Sequence, residues 1–139
     1  MERITNQKLI ILEYLRSVKN HPSAEEIYEG VRRVLPRISL GTIYRNLEKF
    51  AAQGEILEIK SKDIKRFDGD TTDHQHFICS SCSKVYDIFC RKPKMKNFES
   101  HVHKIGTIEN YQISFYGICK KCHTHRQVDK NKLKNNLTN

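Results

Sequence analysis

Apolar side chains recur three residues apart at Leu9, Leu12, Leu15 and Val18, a spacing that lines them along one side of a helix, with Thr5 placed to cap it. A second helical stripe, Ile27, Tyr28, Val31 and Leu35, follows Pro22 and the capping-box pair Ser23 and Glu26, and Pro36 is expected to end it. Ser39 opens a third helix whose Leu40, Ile43, Leu47 and Phe50 face one way, leaving Thr42, Tyr44, Arg45 and Lys49 on other faces. Gly54 suits its C-terminal stop. Two β-prone stretches, 55–60 and 64–68, flank the polar turn Ser61-Lys62-Asp63 and read as a hairpin. Three helices followed by a hairpin predict a winged-helix DNA-binding domain over residues 1–70.

The pattern then changes. Gly69-Asp70-Thr71-Thr72-Asp73 is small and polar, which places a boundary there with a hinge at 71–73. Beyond it, Phe77-Ile78, Val85 to Phe89 and Ile108 to Ile118, with Tyr111, Ile113 and Phe115 alternating, read as strands, and Pro93 to Lys104 reads as a helix between them. These elements predict a small α/β domain over 74–126. The lysine- and asparagine-rich stretch 127–139 has the composition of a disordered tail. The expected class is α+β.

Composition narrows the partners. Of the 139 residues, 25 are Lys or Arg and 16 Asp or Glu, a net charge of +9 that favours phosphate-bearing partners such as nucleic acid. No apolar run reaches the roughly 18 residues of a membrane span, and no signal-peptide core is present at the start, so a cytoplasmic protein is expected. In that reducing compartment paired cysteines more often hold metal than form disulfides.

Two Cys-x-x-Cys pairs, Cys79 with Cys82 and Cys119 with Cys122, offer four thiolates in the number that tetrahedral zinc takes. About 36 residues separate the pairs, so one Zn2+ per subunit would tie the first strand region to the last. A closed four-sulfur site leaves no open position for chemistry. His123 and His125 lie near enough to Cys122 to compete as ligands, Cys90 reads as a small buried hydrophobe, and His101 and His103 as surface residues. A second constellation, Asp68, His74, His76 and Asp87, carries imidazoles and carboxylates without thiolate, a set that suits iron, manganese or zinc. Its alternative reading is surface histidines beside an acidic turn. In an extended segment His74 and His76 point the same way.

Taken in order, Arg3-Ile4-Thr5-x-Gln7, His21-Pro22-Ser23-Ala24-Glu25-Glu26-Ile27-Tyr28, Ser39-x-Gly41-Thr42-Ile43-Tyr44-Arg45-x-Leu47, Arg66-Phe67-Asp68, His74-x-His76-x-x-Cys79-x-x-Cys82, Asp87 and Tyr116-Gly117-x-Cys119-x-x-Cys122 resemble the ferric uptake regulator family over nearly the whole chain. The resemblance implies a homodimeric transcription factor with an N-terminal winged helix and a C-terminal dimerisation domain. It also implies a regulatory Fe2+ or Mn2+, one per subunit, at the hinge. Its ligands fall on His21, Asp68, His74, His76 and Asp87, which brings His21 into the set. Five ligands leave one of six octahedral positions open.

Aspartate at both 68 and 87 resembles the peroxide-sensing repressors more than the iron-responsive branch, which tends to place glutamate there. In the proteins so resembled, bound ferrous iron reacts with peroxide and a histidine ligand is oxidised; the matching positions are His21 and His74. Arg45 is nearer the iron-responsive branch. A further metal site common in relatives is expected to be absent or crippled, because its places read Asp73, Gln75 and Tyr111. The extra first helix of many relatives is expected to be missing.

The function so implied is repression of transcription from an inverted-repeat DNA operator, relieved by peroxide at oxidative-stress and metal-homeostasis genes, with no enzymatic activity, no membrane partner and no small-molecule substrate. Thr42, Tyr44 and Arg45 on the third helix, Lys49 in its last turn, and Lys60 and Lys62 in the hairpin are the candidate DNA contacts. The rival readings are an iron- or zinc-responsive repressor of metal uptake and, from another class, a non-haem iron enzyme.

Overall fold

The computed structural model describes residues 5–91, 96–109 and 111–136. The chain forms two compact units, Met1–Thr72 and Asp73–Asn139; Arg3 and Ile4 lie outside the described residues.

In the first unit α1 (Asn6–Ser17) is capped by Thr5, whose hydroxyl accepts from the Lys8 N–H at 3.4 Å. Its buried face is Ile11, Leu12 and Leu15. The i, i+4 pair Ile11 and Leu15 centres that face and leaves Leu9, expected in the stripe, 44% exposed at its margin. The capping box at α2 (Ala24–Val31) is complete: Ser23 Oγ accepts from Glu26 N at 3.3 Å and the Glu26 carboxylate from Ser23 N at 2.7 Å. The helix stops at Val31, ahead of its expected end at Pro36. There the N–H groups of Val34 and Leu35 both turn back to the Val31 carbonyl, a tightened turn that still brings Leu35 onto the core.

Ser39 caps α3 (Leu40–Ala52), which buries Ile43, Leu47 and Phe50, and Gly54 follows at φ +72°, where a left-handed residue lets the chain turn away. The wing is β1 (Leu57–Ser61) paired antiparallel with β2 (Ile64–Asp68), closed by Lys62 at φ +54°. Phe67 reaches from the wing into the core formed by Ile11, Leu15, Ile27, Ile43 and Leu47. Burial of each such side chain contributes about 1.5–3 kcal/mol. Past β2, Gly69 lies against α1 so closely that a Cβ there would sit 2.9 Å from the Arg16 backbone.

The second unit contains β3 (Gln75–Cys79), β4 (Val85–Ile88), α4 (Lys96–Val102), β5 (Ser114–Gly117) and α5 (Lys120–Asn136). Its sheet has the order β4-β3-β5, with β4 antiparallel and β5 parallel to β3. The strand expected over 108–118 is shorter. Its register sets Ser114 opposite His76, one residue inside β3, so the chain before Ser114 has almost no β3 backbone left to pair with; Asn110 lies outside the described residues. The helix expected from Pro93 is observed from Lys96, residues 92–95 lying outside the described set. The stretch from 127, expected as a disordered tail, is instead the second half of α5 as far as Asn136. Lysine is a good helix former, so a composition poor in apolar residues does not by itself end a helix; residues 137–139 are outside the description.

This unit leaves Phe89, Phe98, Ile105, Phe115 and Tyr116 exposed, each by more than half. Among the described residues no helix is long and apolar enough to cross a membrane.

Candidate metal centres and DNA-reading face

The four-cysteine centre grows out of the sheet of the second unit. Cys79 ends β3, a turn with Ser83 at φ +63° carries Cys82, and Cys119 and Cys122 stand at the junction of β5 with α5. One sulfur from each of the four lies within 4.8 Å of the others, and those of Cys82 and Cys119 are 4.0 Å apart. Sulfurs at the corners of a zinc tetrahedron, with Zn–S about 2.3 Å, are about 3.8 Å apart. The donors therefore fit a structural zinc. His123 and His125 are exposed and are not in the group.

Local hydrogen bonds favour thiolate at Cys79 and Cys119. Burial pushes the Cys79 thiol up, but backbone N–H groups of Cys119, Cys82 and Ser81 outweigh it and hold Cys79 at about 6; the Cys119 N–H lies 3.3 Å from its sulfur. Cys119 is lowered by the Cys122 backbone and then by the Tyr86 hydroxyl, while Cys122, donating to the Cys119 sulfur, is pushed up to about 12. The two cysteines move oppositely because the hydrogen bond between them favours the thiolate of its acceptor and the thiol of its donor. Tyr86, also a donor to Cys119, is raised to about 12. Nothing in the sequence pattern marked Tyr86 as a partner of the cluster.

The imidazoles and carboxylates occur as one set in each unit. In the first, His21 Nε2 lies 3.4 Å from Asp68 Oδ2, and both residues are buried. His21 precedes a proline and takes the left-handed conformation, φ +51°, which costs a non-glycine residue of order 1–3 kcal/mol. The surrounding bonds hold it there: Arg66 donates to the His21 carbonyl at 3.1 Å and the Phe67 N–H to that of Pro22 at 3.0 Å. The other oxygen of Asp68 accepts from the Asp70 N–H at 2.8 Å, which orients the carboxylate toward His21.

In the second unit His76 on β3 stands directly opposite Asp87 on β4, with His74 two residues ahead on the same face. Asp87 Oδ1 lies 3.3 Å from His74 Nε2 and 3.4 Å from His76 Nε2. The rings of His74 and His76 meet edge to face at 4.6 Å, and Phe89 stacks on His74 at 5.0 Å. Nitrogen and oxygen donors in these sets fit a divalent cation of the iron and manganese kind.

Cys90, expected buried, is exposed; its thiol donates to the side-chain oxygen of the buried Gln75 at 3.2 Å. A position after the last β4 residue, where strand alternation no longer applies, explains the difference. His101 and His103 are exposed.

On α3, Thr42 Oγ1 accepts from Arg45 at 3.1 Å and lies 2.9 Å from Ser39 Oγ. Tyr44 is 39% exposed and its hydroxyl donates to the Glu25 carboxylate of α2, a partner that sequence spacing did not reveal. Lys49 is half-buried, and Lys60 and Lys62 are exposed on the wing.

Residues 2–116 match the model of the Ferric uptake regulator family. The peroxide-responsive repressor PerR of Staphylococcus epidermidis is 36% identical over 122 residues, covering 86% of this chain and 81% of that protein. The crystal structure of the Campylobacter jejuni peroxide stress regulator superposes with a TM-score of 0.69 at 30% identity, over 84% of this chain and 88% of that one. The Helicobacter pylori ferric uptake regulator shares the fold, with a TM-score of 0.70 at 23% identity over 87% of this chain and 82% of that one.

Proposed function

The chain belongs to the ferric uptake regulator family, and on that premise we propose that it is a dimeric, cytoplasmic repressor whose grip on DNA depends on one divalent cation and is released by peroxide. The observation that carries this reading is the pairing of imidazole with carboxylate in each unit, His21 with Asp68 and His74 and His76 with Asp87. A cation that takes ligands from both sets binds only the arrangement of units that offers them together, and so selects it from the ensemble. That arrangement is the one competent for DNA. The aspartates at 68 and 87 and the similarity to peroxide-responsive repressors support peroxide as the signal.

Ferrous iron, when bound, supplies the electron chemistry that activates peroxide. In the event that ends repression, peroxide gives one oxygen atom to a ring carbon of His21 or His74 and leaves as water, and the altered ring no longer ligates well. Peroxide is here a signal, and no catalytic turnover is proposed. The exposed apolar residues of the second unit, Phe98, Ile105, Phe115 and Tyr116 among them, support a second copy of the chain as the dimer partner. The zinc at Cys79, Cys82, Cys119 and Cys122 holds that unit together.

DNA contact is assigned to Thr42, Tyr44, Arg45 and Lys49 of α3 in the major groove and to Lys60 and Lys62 of the wing on phosphate. The test is metal analysis of protein purified without oxygen, with duplex binding measured before and after peroxide and the tryptic peptides weighed. Loss of binding with one added oxygen on the His21 or His74 peptide is expected. Release by iron chelation alone, with binding and peptide masses indifferent to peroxide, would instead identify a repressor of metal uptake.

A further inference from the structure

Tyr44 is the aromatic side chain exposed on α3, and its phenolic hydrogen is already engaged. The hydroxyl donates to the carboxylate of Glu25, which sits in the first turn of α2. Glu25 is well placed to remain charged there, since the unpaired N–H groups of a helix start favour an anion. In keeping with that, the bond to Tyr44 holds the Glu25 carboxyl below its ordinary value and raises the Tyr44 phenol above its own.

A tyrosine hydroxyl has one hydrogen to give. With that hydrogen on Glu25, Tyr44 can offer a phosphate only lone pairs, which repel it, and the nearby carboxylate repels it further. What remains for DNA is the ring, an apolar surface fixed at its far end. In the major groove the apolar feature that distinguishes one base is the methyl group of thymine.

We propose that Glu25 is a positioning residue that sets base preference, holding the Tyr44 hydroxyl so that the ring meets a thymine methyl and the side chain cannot turn to clamp phosphate. This rests on the reading of α3 as the DNA-reading helix. Glu25 itself touches no base. Its carboxylate acts through Tyr44, and its cost in general phosphate attraction is accepted in exchange for a fixed ring.

The experiment uses the full chain loaded with zinc and manganese. A duplex is first selected from a random-sequence library by this protein, and thymines related by the dyad are then replaced in pairs by deoxyuridine, which lacks only the methyl. Burying one methyl-sized group is worth ~0.8 kcal/mol, about fourfold, so a pair of substitutions should weaken binding about 15-fold at one position of each half-site. Tyr44→Ala should erase that penalty and so identify the position. Glu25→Ala should reduce it to less than about fourfold while affinity for unrelated duplex stays equal or rises. Glu25→Gln, which keeps an acceptor for the hydroxyl, should retain it. Zinc content and melting temperature check that each variant is folded.

A full penalty in Glu25→Ala would overturn the inference and leave the DNA-binding reading intact. The same holds if no thymine shows a penalty in the parent protein. Failure of the library to enrich any sequence would contradict the DNA-binding reading itself and remove this inference with it.

Discussion

The Nε2 of His21 lies 3.4 Å from the Oδ2 of Asp68, a contact that joins the loop ahead of α2 to the last residue of the wing. Both ends are fixed independently of it: the His21 backbone by Arg66, and the Asp68 carboxylate by the Asp70 N–H. Such support would hold the two side chains ready for a cation at the cost of a left-handed histidine.

Asp68→Asn keeps the size of the side chain and removes its charge. Outer partners of metal ligands typically account for 10–100-fold in affinity, so loss of a direct carboxylate should weaken manganese binding by roughly 100-fold or more. Zinc content should not change. Isothermal titration of the zinc-loaded protein with manganese measures the first, and unchanged affinity would remove Asp68 from the site.

Cys119→Ser should release zinc and dissociate the dimer together, because Cys119 joins the end of β5 to the end of β3 through the cluster. Zinc analysis and sedimentation are the readouts. A dimer that persists without zinc would show that association does not need the metal.

Gly69→Ala should destabilise the first unit. The added Cβ meets backbone atoms of Leu15 and Arg16 at 2.9 Å, and backbone in a helix cannot swing aside as a side chain can. Overpacking of this kind costs about 1–3 kcal/mol. The melting temperature of that unit should fall by about 4–8 °C per kcal/mol; an unchanged value would mean that α1 shifts freely.

The phenol of Tyr44 is raised above its ordinary value by its hydrogen bond to Glu25. Its contribution to stability is therefore complete below the unfolded value of the phenol and is lost as pH rises through the higher folded one. Because the pair is solvent-exposed, the effect on stability is small. A difference titration of tyrosinate absorbance, parent against Glu25→Ala, should show one phenol ionising at lower pH in the variant. Coincident curves would mean that the two side chains do not interact in solution.

The three helices and the wing were legible because each announces itself locally, through caps at Thr5, Ser23 and Ser39 and apolar stripes at helical spacing. The four cysteines were legible for a similar reason, since ligand type and spacing are written in the chain. What escaped depends on contacts between distant residues. The start of β5 is set by where β3 begins, the exposure of Cys90 by the end of β4, and the bond from Tyr44 to Glu25 by the packing of α3 on α2. The helix through residue 136 escaped because a lysine-rich helix and a disordered tail can have the same composition.

On the proposed reading one cation, distinct from the zinc, controls DNA affinity. The decisive comparison is the affinity of the zinc-loaded protein for its selected duplex with manganese present and after its removal by a weak chelator that leaves the zinc in place. Binding tighter by roughly 100-fold with manganese is expected from a cation that shifts the arrangement of the two units. Equal affinity in both conditions, with zinc content unchanged, would contradict it.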